Sequence, residues 1–196
     1  LGRAILNLLE TSNEIEVAYT SLEPIPNLNC RYIKLDILSQ QDFDHLGNDF
    51  DIVINLIGQI SNPTNLCFRL NTEGLFNLIQ YVKKSSSRLI QISSVAVYGS
   101  SNSTISEESS LSPETPYGSF KANAEFLIEK FLENGQYTIL RLSNLYGTNQ
   151  QKGIIAYFLS SIKTGEKLYF NNNGNMSRYF LNVQDAARLI ISLTTF

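Results

Sequence analysis

The chain has 196 residues, 43% of them hydrophobic and 17% charged, with a formal net charge of -3 and a pI near 5.2. That is the length of one domain, or of one domain and part of another, with enough apolar content for a buried core, so chain-wide disorder is excluded. No stretch reaches the ~18 consecutive apolar residues of a membrane span, and the acidic balance excludes nucleic-acid binding through bulk positive charge. A small anionic ligand stays open, because it needs only a few local cations. Cys30 and Cys67 lie outside any CxxC pair, and His45 is the single histidine. These residues make neither a disulfide framework nor a zinc site. Both cysteines read as small buried apolar residues.

Short apolar runs alternate with amphipathic segments along the chain. Residues 1–9 predict a helix with Leu1, Ile5, Leu8 and Leu9 on one side. Strands are predicted at 15–20 and 32–35, the second closed by Asp36, and a short helix follows at 40–46. The run DIVINLI at 51–57 is almost continuously apolar, as in a strand buried on both faces. A helix at 72–83 turns Leu75, Leu78, Ile79 and Val82 inward, and a strand follows at 88–93. The polar segment SSNSTISEESSLS at 100–112 reads as a solvated loop, or as a flap over a neighbouring site. Pro116 suits the first turn of a helix predicted at 116–132. A strand at 137–142, a helix at 154–162, a turn in NNNGN at 171–175, a strand at 179–183 and a helix at 184–193 complete the chain. Strands alternating with helices predict an α/β fold, a doubly wound parallel sheet. Ligands of such sheets bind at the carboxyl ends of the strands. That rule draws attention to Gly58, Ser93, Ser94 and Asn144, each of which follows or ends a predicted strand.

Tyr117 stands four residues before Lys121, so a helix puts both side chains on one face. A phenol with a pKa of about 10 is a weak base at neutral pH. A nearby ammonium favours the phenolate, and a shift of about three units takes ~4 kcal/mol of differential interaction. By itself the spacing is common and fits a surface pair equally well. Ser94 closes the strand ahead of it, with 22 residues between Ser94 and Tyr117. A serine there can orient a substrate hydroxyl or cap local backbone.

The segments ISSVAVYG, PYGSFK, LRLSNLYG, the NTEG at 71–74 and RYFLNVQDAAR, in this order and spacing, resemble the extended short-chain dehydrogenase/reductase family. Within it they are similar to the NAD-dependent epimerase/dehydratase group that acts on nucleotide sugars. The resemblance covers nearly the whole chain. It implies a Rossmann-type NAD(P)-binding domain over 1–147 and part of a substrate-binding region over 148–196. It implies that Tyr117 is the base that takes the hydroxyl proton as hydride leaves the sugar carbon. Lys121 would bond the nicotinamide ribose and tune Tyr117, and Ser94 would orient the reacting oxygen. Gly2, Asp36, Gly58 and Ser93 would line the cofactor, with Asp36 at the adenine and Ser93 more structural. Asn144 and Arg178 would meet the nucleotide-sugar diphosphate, where an arginine fork suits phosphate oxygens. Asp185 would cap or orient a helix. The resemblance also implies a cytoplasmic enzyme and a homodimer through the helices at 72–83 and 116–132.

Several positions depart from the family pattern. Leu1 and Gly2 match only the end of the glycine-rich loop, so a first strand and pyrophosphate loop are expected upstream, and most of the sugar-binding domain beyond Phe196. The end of the second strand, Ala18-Tyr19-Thr20-Ser21, carries neither the acid of NAD users nor an arginine of NADP users. NAD is favoured from family habit and NADP stays open. Val95 and Ala96 stand where dehydratases carry an Asp-Glu pair, which disfavours dehydration. The segment from Gln59 to Asn71 is also shorter than usual. The leading expectation is an NAD(P)-dependent nucleotide-sugar epimerase. A keto-sugar reductase on the same Tyr and Lys, or a non-catalytic nucleotide-binding subunit, are the alternatives. The bare 196-residue chain is expected to melt without cooperativity and to bind cofactor weakly. A cooperative calorimetric transition with micromolar cofactor affinity would overturn that expectation.

Overall fold

A computed structural model of the chain describes residues 1–10, 12, 15–58, 63–101, 103–148, 150, 153–175 and 177–194. Residues 59–62 of the segment after Gly58, Asn102 in the serine-rich segment and the last two residues lie outside the described ones.

Every strand pair is parallel. β1 (Ala18–Ser21) pairs with β2 (Arg31–Lys34), and β3 (Ile52–Asn55), β4 (Arg88–Ser94) and β5 (Tyr137–Leu142) form a three-stranded sheet with β4 in the centre. Parallel neighbours need crossovers, and helices supply them. On one face, Leu75, Leu78, Ile79, Val82, Ala124 and Ile128 pack with Leu89 in a single buried cluster that Val53 and Ile139 flank. On the other, Ala4, Ile5, Leu9, Ala187 and Ile190 pack against Ile54, Ile92 and Leu140. Neighbouring residues of each strand therefore feed opposite cores, as the pleat requires. This is the two-faced arrangement that the continuous apolar run at 51–57 predicts.

The helices start where their sequences supply caps. Thr115 accepts a hydrogen bond from the Gly118 N–H at 3.1 Å, and Pro116 opens α5 (Pro116–Phe131) with its φ preset. Ser39 caps α2 (Gln40–Asp44), and Asn182 caps α7 (Val183–Ser192) through the Gln184 N–H at 2.8 Å. α1 (Gly2–Leu9) packs its apolar side against α7.

Two elements differ from the sequence expectation. The helix predicted at 72–83 begins earlier: α3 (Thr64–Arg69) passes through a π turn at Leu70–Gly74 into α4 (Leu75–Ser85). The Asn71 amide and the Thr72 hydroxyl both donate to carbonyls one turn back, Cys67 and Phe68, at 2.8 Å. Such side-chain bonds compete with the α ladder and mark its widening. The second difference is β6 (Asn144–Tyr146), which pairs with β7 (Phe180–Asn182). Three residues are too few to show a period in the sequence. α6 (Ile154–Thr164) lies between these two strands in the chain and ends at Gly165 in the left-handed region.

Ile79 is completely buried in the larger cluster. Ile79→Ala is expected to lower unfolding free energy by about 2–5 kcal/mol in urea titrations. A loss under about 1 kcal/mol would mean that the site collapses around the smaller side chain.

Candidate functional site

The site is built where β3 and β4 end and α5 begins. The Lys121 side chain is buried, and its ammonium donates to the Ile57 and Ile92 carbonyls, both at 3.2 Å. Two of its three N–H donors are therefore used by backbone just past β3 and within β4. Gly58 makes this approach feasible: a Cβ there would sit 2.6 Å from the Lys121 Nζ. Burial, only partly offset by nearby negative potential from Cys67 and Glu125, brings the Lys121 ammonium down to about 8.

Tyr117 is half-buried one turn earlier on α5. Burial pushes its phenol above the ordinary value, an interaction with the Ser94 hydroxyl works the other way, and Cys67 adds to the rise. The expected lowering of this phenol is thus not present in the protein alone, because desolvation is the largest effect on it. The Ser94 Oγ also accepts the Ala96 N–H at 3.2 Å, capping a 3-10 turn at Val95–Tyr98. α5 comes close to this turn because residue 118 is glycine: a Cβ on Gly118 would lie 2.5 Å from the Ala96 carbonyl oxygen.

Tyr117, Lys121, Ser94 and Gly58 thus form one cluster. Gly2 opens α1 beside Leu56, whose Cδ1 would be 3.2 Å from a Cβ at that position. Asp36 follows β2, and its carboxylate accepts the Leu38 N–H at 2.9 Å. Ser93 is buried with its hydroxyl donating to Glu125. Asn144 and Arg178 are exposed at a separate edge, where the Asn144 amide donates to the Tyr179 carbonyl at 3.2 Å. The β6–β7 pairing sets Asn144 opposite Phe180, two residues beyond Arg178 in the chain. Asp185, in the first turn of α7, pairs with Arg188 at 2.8 Å.

Four residues escaped sequence reading. Cys67 and Asn71 reach the site because the helix starts at Thr64. Glu125 continues the Tyr117, Lys121 spacing by one more turn, a signal present in the sequence. Arg141 lies inside the LRLSNLYG segment and pairs with Glu125 at 2.8 Å. The serine-rich segment folds back toward β4: Ser112 N–H donates to the Val97 carbonyl at 3.0 Å, and Arg141 donates to the Glu107 carbonyl at 3.0 Å.

Parallel strands covered by helices on both faces, with polar side chains gathered at their carboxyl ends, define a Rossmann-type α/β protein. The family model described as the NAD dependent epimerase/dehydratase family matches residues 1–196, and the chain belongs to that family. A mouse dTDP-D-glucose 4,6-dehydratase is 27% identical over 190 residues, covering 89% of this chain and 53% of the mouse protein. The UDP-glucose 4-epimerase of Thermotoga maritima, solved with UDP-glucose, superposes with a TM-score of 0.85 at 21% identity, over 99% of this chain and 70% of that one. The dTDP-glucose 4,6-dehydratase of Bacillus anthracis, solved with NAD, gives 0.84 at 23% identity, over 99% and 67%. The chain spans 53–62% of the length of the first curated relatives it matches. Among the described residues no helix is long and apolar enough to cross a membrane.

The depressed Lys121 value makes a stability prediction. Its folded value, about 8, lies below the ordinary 10.5, so the unfolded chain binds more protons between these values. This group therefore adds stability as pH rises from about 8 toward 10.5. Lys121→Met should be more stable than wild type at pH 7 by up to about 3 kcal/mol, with the gap closing above pH 10. A pH-independent gap in paired denaturant titrations would contradict the buried ammonium.

Proposed function

We propose that the protein is an NAD-dependent nucleotide-sugar epimerase, on the strength of one observation: Tyr117, Ser94 and the buried Lys121 share one corner at the strand ends. NAD, when bound, supplies a hydride acceptor and donor. Lys121 keeps one N–H for a ribose hydroxyl, Gly58 leaves room for close backbone approach, Gly2 opens a helix N-terminus suited to phosphate, and Asp36 stands at the adenine end. NADP remains the alternative cofactor. Tyr117 takes the proton of a sugar hydroxyl and later returns it, while Ser94 holds the same oxygen. The Lys121 ammonium, joined by the positive charge of an oxidised nicotinamide, offsets the burial that raises the phenol. Asn144 and Arg178 bind the diphosphate at the β6–β7 edge.

Val95 and Ala96, directly after Ser94, offer no acid or base for removing water, which favours epimerisation over dehydration although dehydratases are among the relatives. The domain division at 147, with substrate binding from 148 onward, and a cytoplasmic location belong to the same reading. So does a homodimer through the helices at 72–83 and 116–132. On these helices, or just ahead of them, Phe68, Phe76, Phe126 and Phe131 are 40–54% exposed, and Phe76 stacks edge-on against Phe131 at 5.6 Å. Exposed aromatic side chains on these helices suit an interface.

The test is to incubate the full-length protein with UDP-, GDP- and dTDP-sugars and catalytic NAD, following sugars by NMR and cofactor by absorbance. Interconversion of two sugars without net cofactor change, reduced at least ~100-fold in Tyr117→Phe, is the expected result. Stoichiometric NAD(P)H consumption would make it a reductase, and a dehydrated product a dehydratase. Bound cofactor with no turnover would make it a silent nucleotide-binding subunit.

A further inference from the structure

We propose that Glu125 and Arg141 are positioning residues of this site, fixing the end of β4 and the interior face of α5 to the serine-rich segment through one charge-paired network. The inference rests on the epimerase reading for its catalytic consequence.

Glu125 is 1% exposed and one turn beyond Lys121 on the same face of α5. One carboxylate oxygen accepts the Ser93 hydroxyl, and the other accepts Arg141 Nε at 3.0 Å and Nη2 at 2.8 Å. Arg141 sits directly across from Ser93 in the β4–β5 register. Its remaining nitrogen, Nη1, donates to the Tyr98 hydroxyl at 2.7 Å and to the Glu107 carbonyl at 3.0 Å, and the guanidinium lies 5.0 Å from the Tyr98 ring centre. One planar fork thus serves acceptors on α5, the 3-10 turn and the serine-rich segment. A lysine could not do this, since its point charge has no fixed fork.

A buried ion pair is a poor stabiliser compared with apolar packing, so its placement beside Lys121 points to positioning. Ser93 and Ser94 point to opposite sides of β4. Anchoring Ser93 to Glu125 fixes the strand's rotation, and with it the Ser94 hydroxyl that meets Tyr117. The carboxylate also favours the Lys121 ammonium. Cys67 from α3 and the Ile57 and Ile92 carbonyls also act on Lys121, Tyr117 stands one turn before it on α5, and Arg141 lies on the far side of Glu125. Glu125→Gln removes the negative charge and leaves Arg141 positive. Both changes disfavour a charged Lys121.

The experiment reads Lys121 in the full-length protein by carbon-13 NMR of the lysine ε position, alongside kcat against pH. In Glu125→Gln the Lys121 midpoint should fall by about half a unit or more from its value of about 8, and the alkaline limb of kcat should move with it. Arg141→Lys should lower kcat about tenfold with little change in KM. If Glu125→Gln does not fold, Ser93→Ala is read instead: a displaced Ser94 should raise the Tyr117 titration midpoint. An unshifted Lys121 midpoint in folded Glu125→Gln, or an unshifted Tyr117 midpoint in Ser93→Ala, would overturn the proposal. Both midpoints are measured without turnover. Wild-type protein inactive on every sugar would therefore sink the epimerase reading alone, while the titrations still decide the role of the ion pair.

Discussion

The Lys121 ammonium is a positive charge placed between two backbone carbonyls, and the arrangement around it follows from satisfying that charge. Taking it out of water is costly, and hydrogen bonds to the Ile57 and Ile92 carbonyls offset part of the cost. Those carbonyls are brought within one side chain's reach by the parallel register of β3 and β4. Gly58 leaves room for the ammonium, because a Cβ there would sit 2.6 Å from Nζ and push the lysine end aside. The residual desolvation shows as a depressed Lys121 value, and the same burial raises Tyr117. Burial thus favours the neutral form of both groups, and an additional positive charge at the site would bring the phenol down while pressing further on the ammonium.

α5 works as a ruler along this interior. Its start is fixed three times over: the Thr115 cap, Pro116 in the first turn, and the close approach of Gly118 to Ala96. With the start fixed, the helical repeat delivers Tyr117, Lys121 and Glu125 to one face at successive turns. Tyr117 faces Ser94, Lys121 bridges strand ends, and Glu125 accepts from Ser93 and Arg141. A chemical corner and a charge-paired anchor are thereby built from one helix face, and β5 contributes only the arginine that closes the network.

The rest of the described structure supplies edges to that corner. The π turn at Leu70–Gly74 turns Asn71 inward and keeps Cys67 near the Tyr-Lys pair. The short β6–β7 pair gathers Asn144 and the residues around Tyr179 at a second, exposed edge. Solved structures of an epimerase and of a dehydratase alike share this fold.

Sequence by itself determined the alternation of strands and helices, because apolar runs at 51–57 and 88–93 can be satisfied only between two helical layers. It also determined the Tyr117 and Lys121 spacing, the proline in the first turn of α5 and the serine at the end of β4, since these are local properties of neighbouring residues. Tertiary structure decided the rest. No local pattern shows that Glu125 reaches Arg141 and Ser93, because the partners are 16 and 32 residues away and meet only through strand register. The earlier start of the helix at Thr64 and the pairing of the three-residue β6 depend on side-chain bonds and a distant strand, not on periodicity. The direction of the Tyr117 shift likewise depends on burial, a quantity that exists only once the chain has folded.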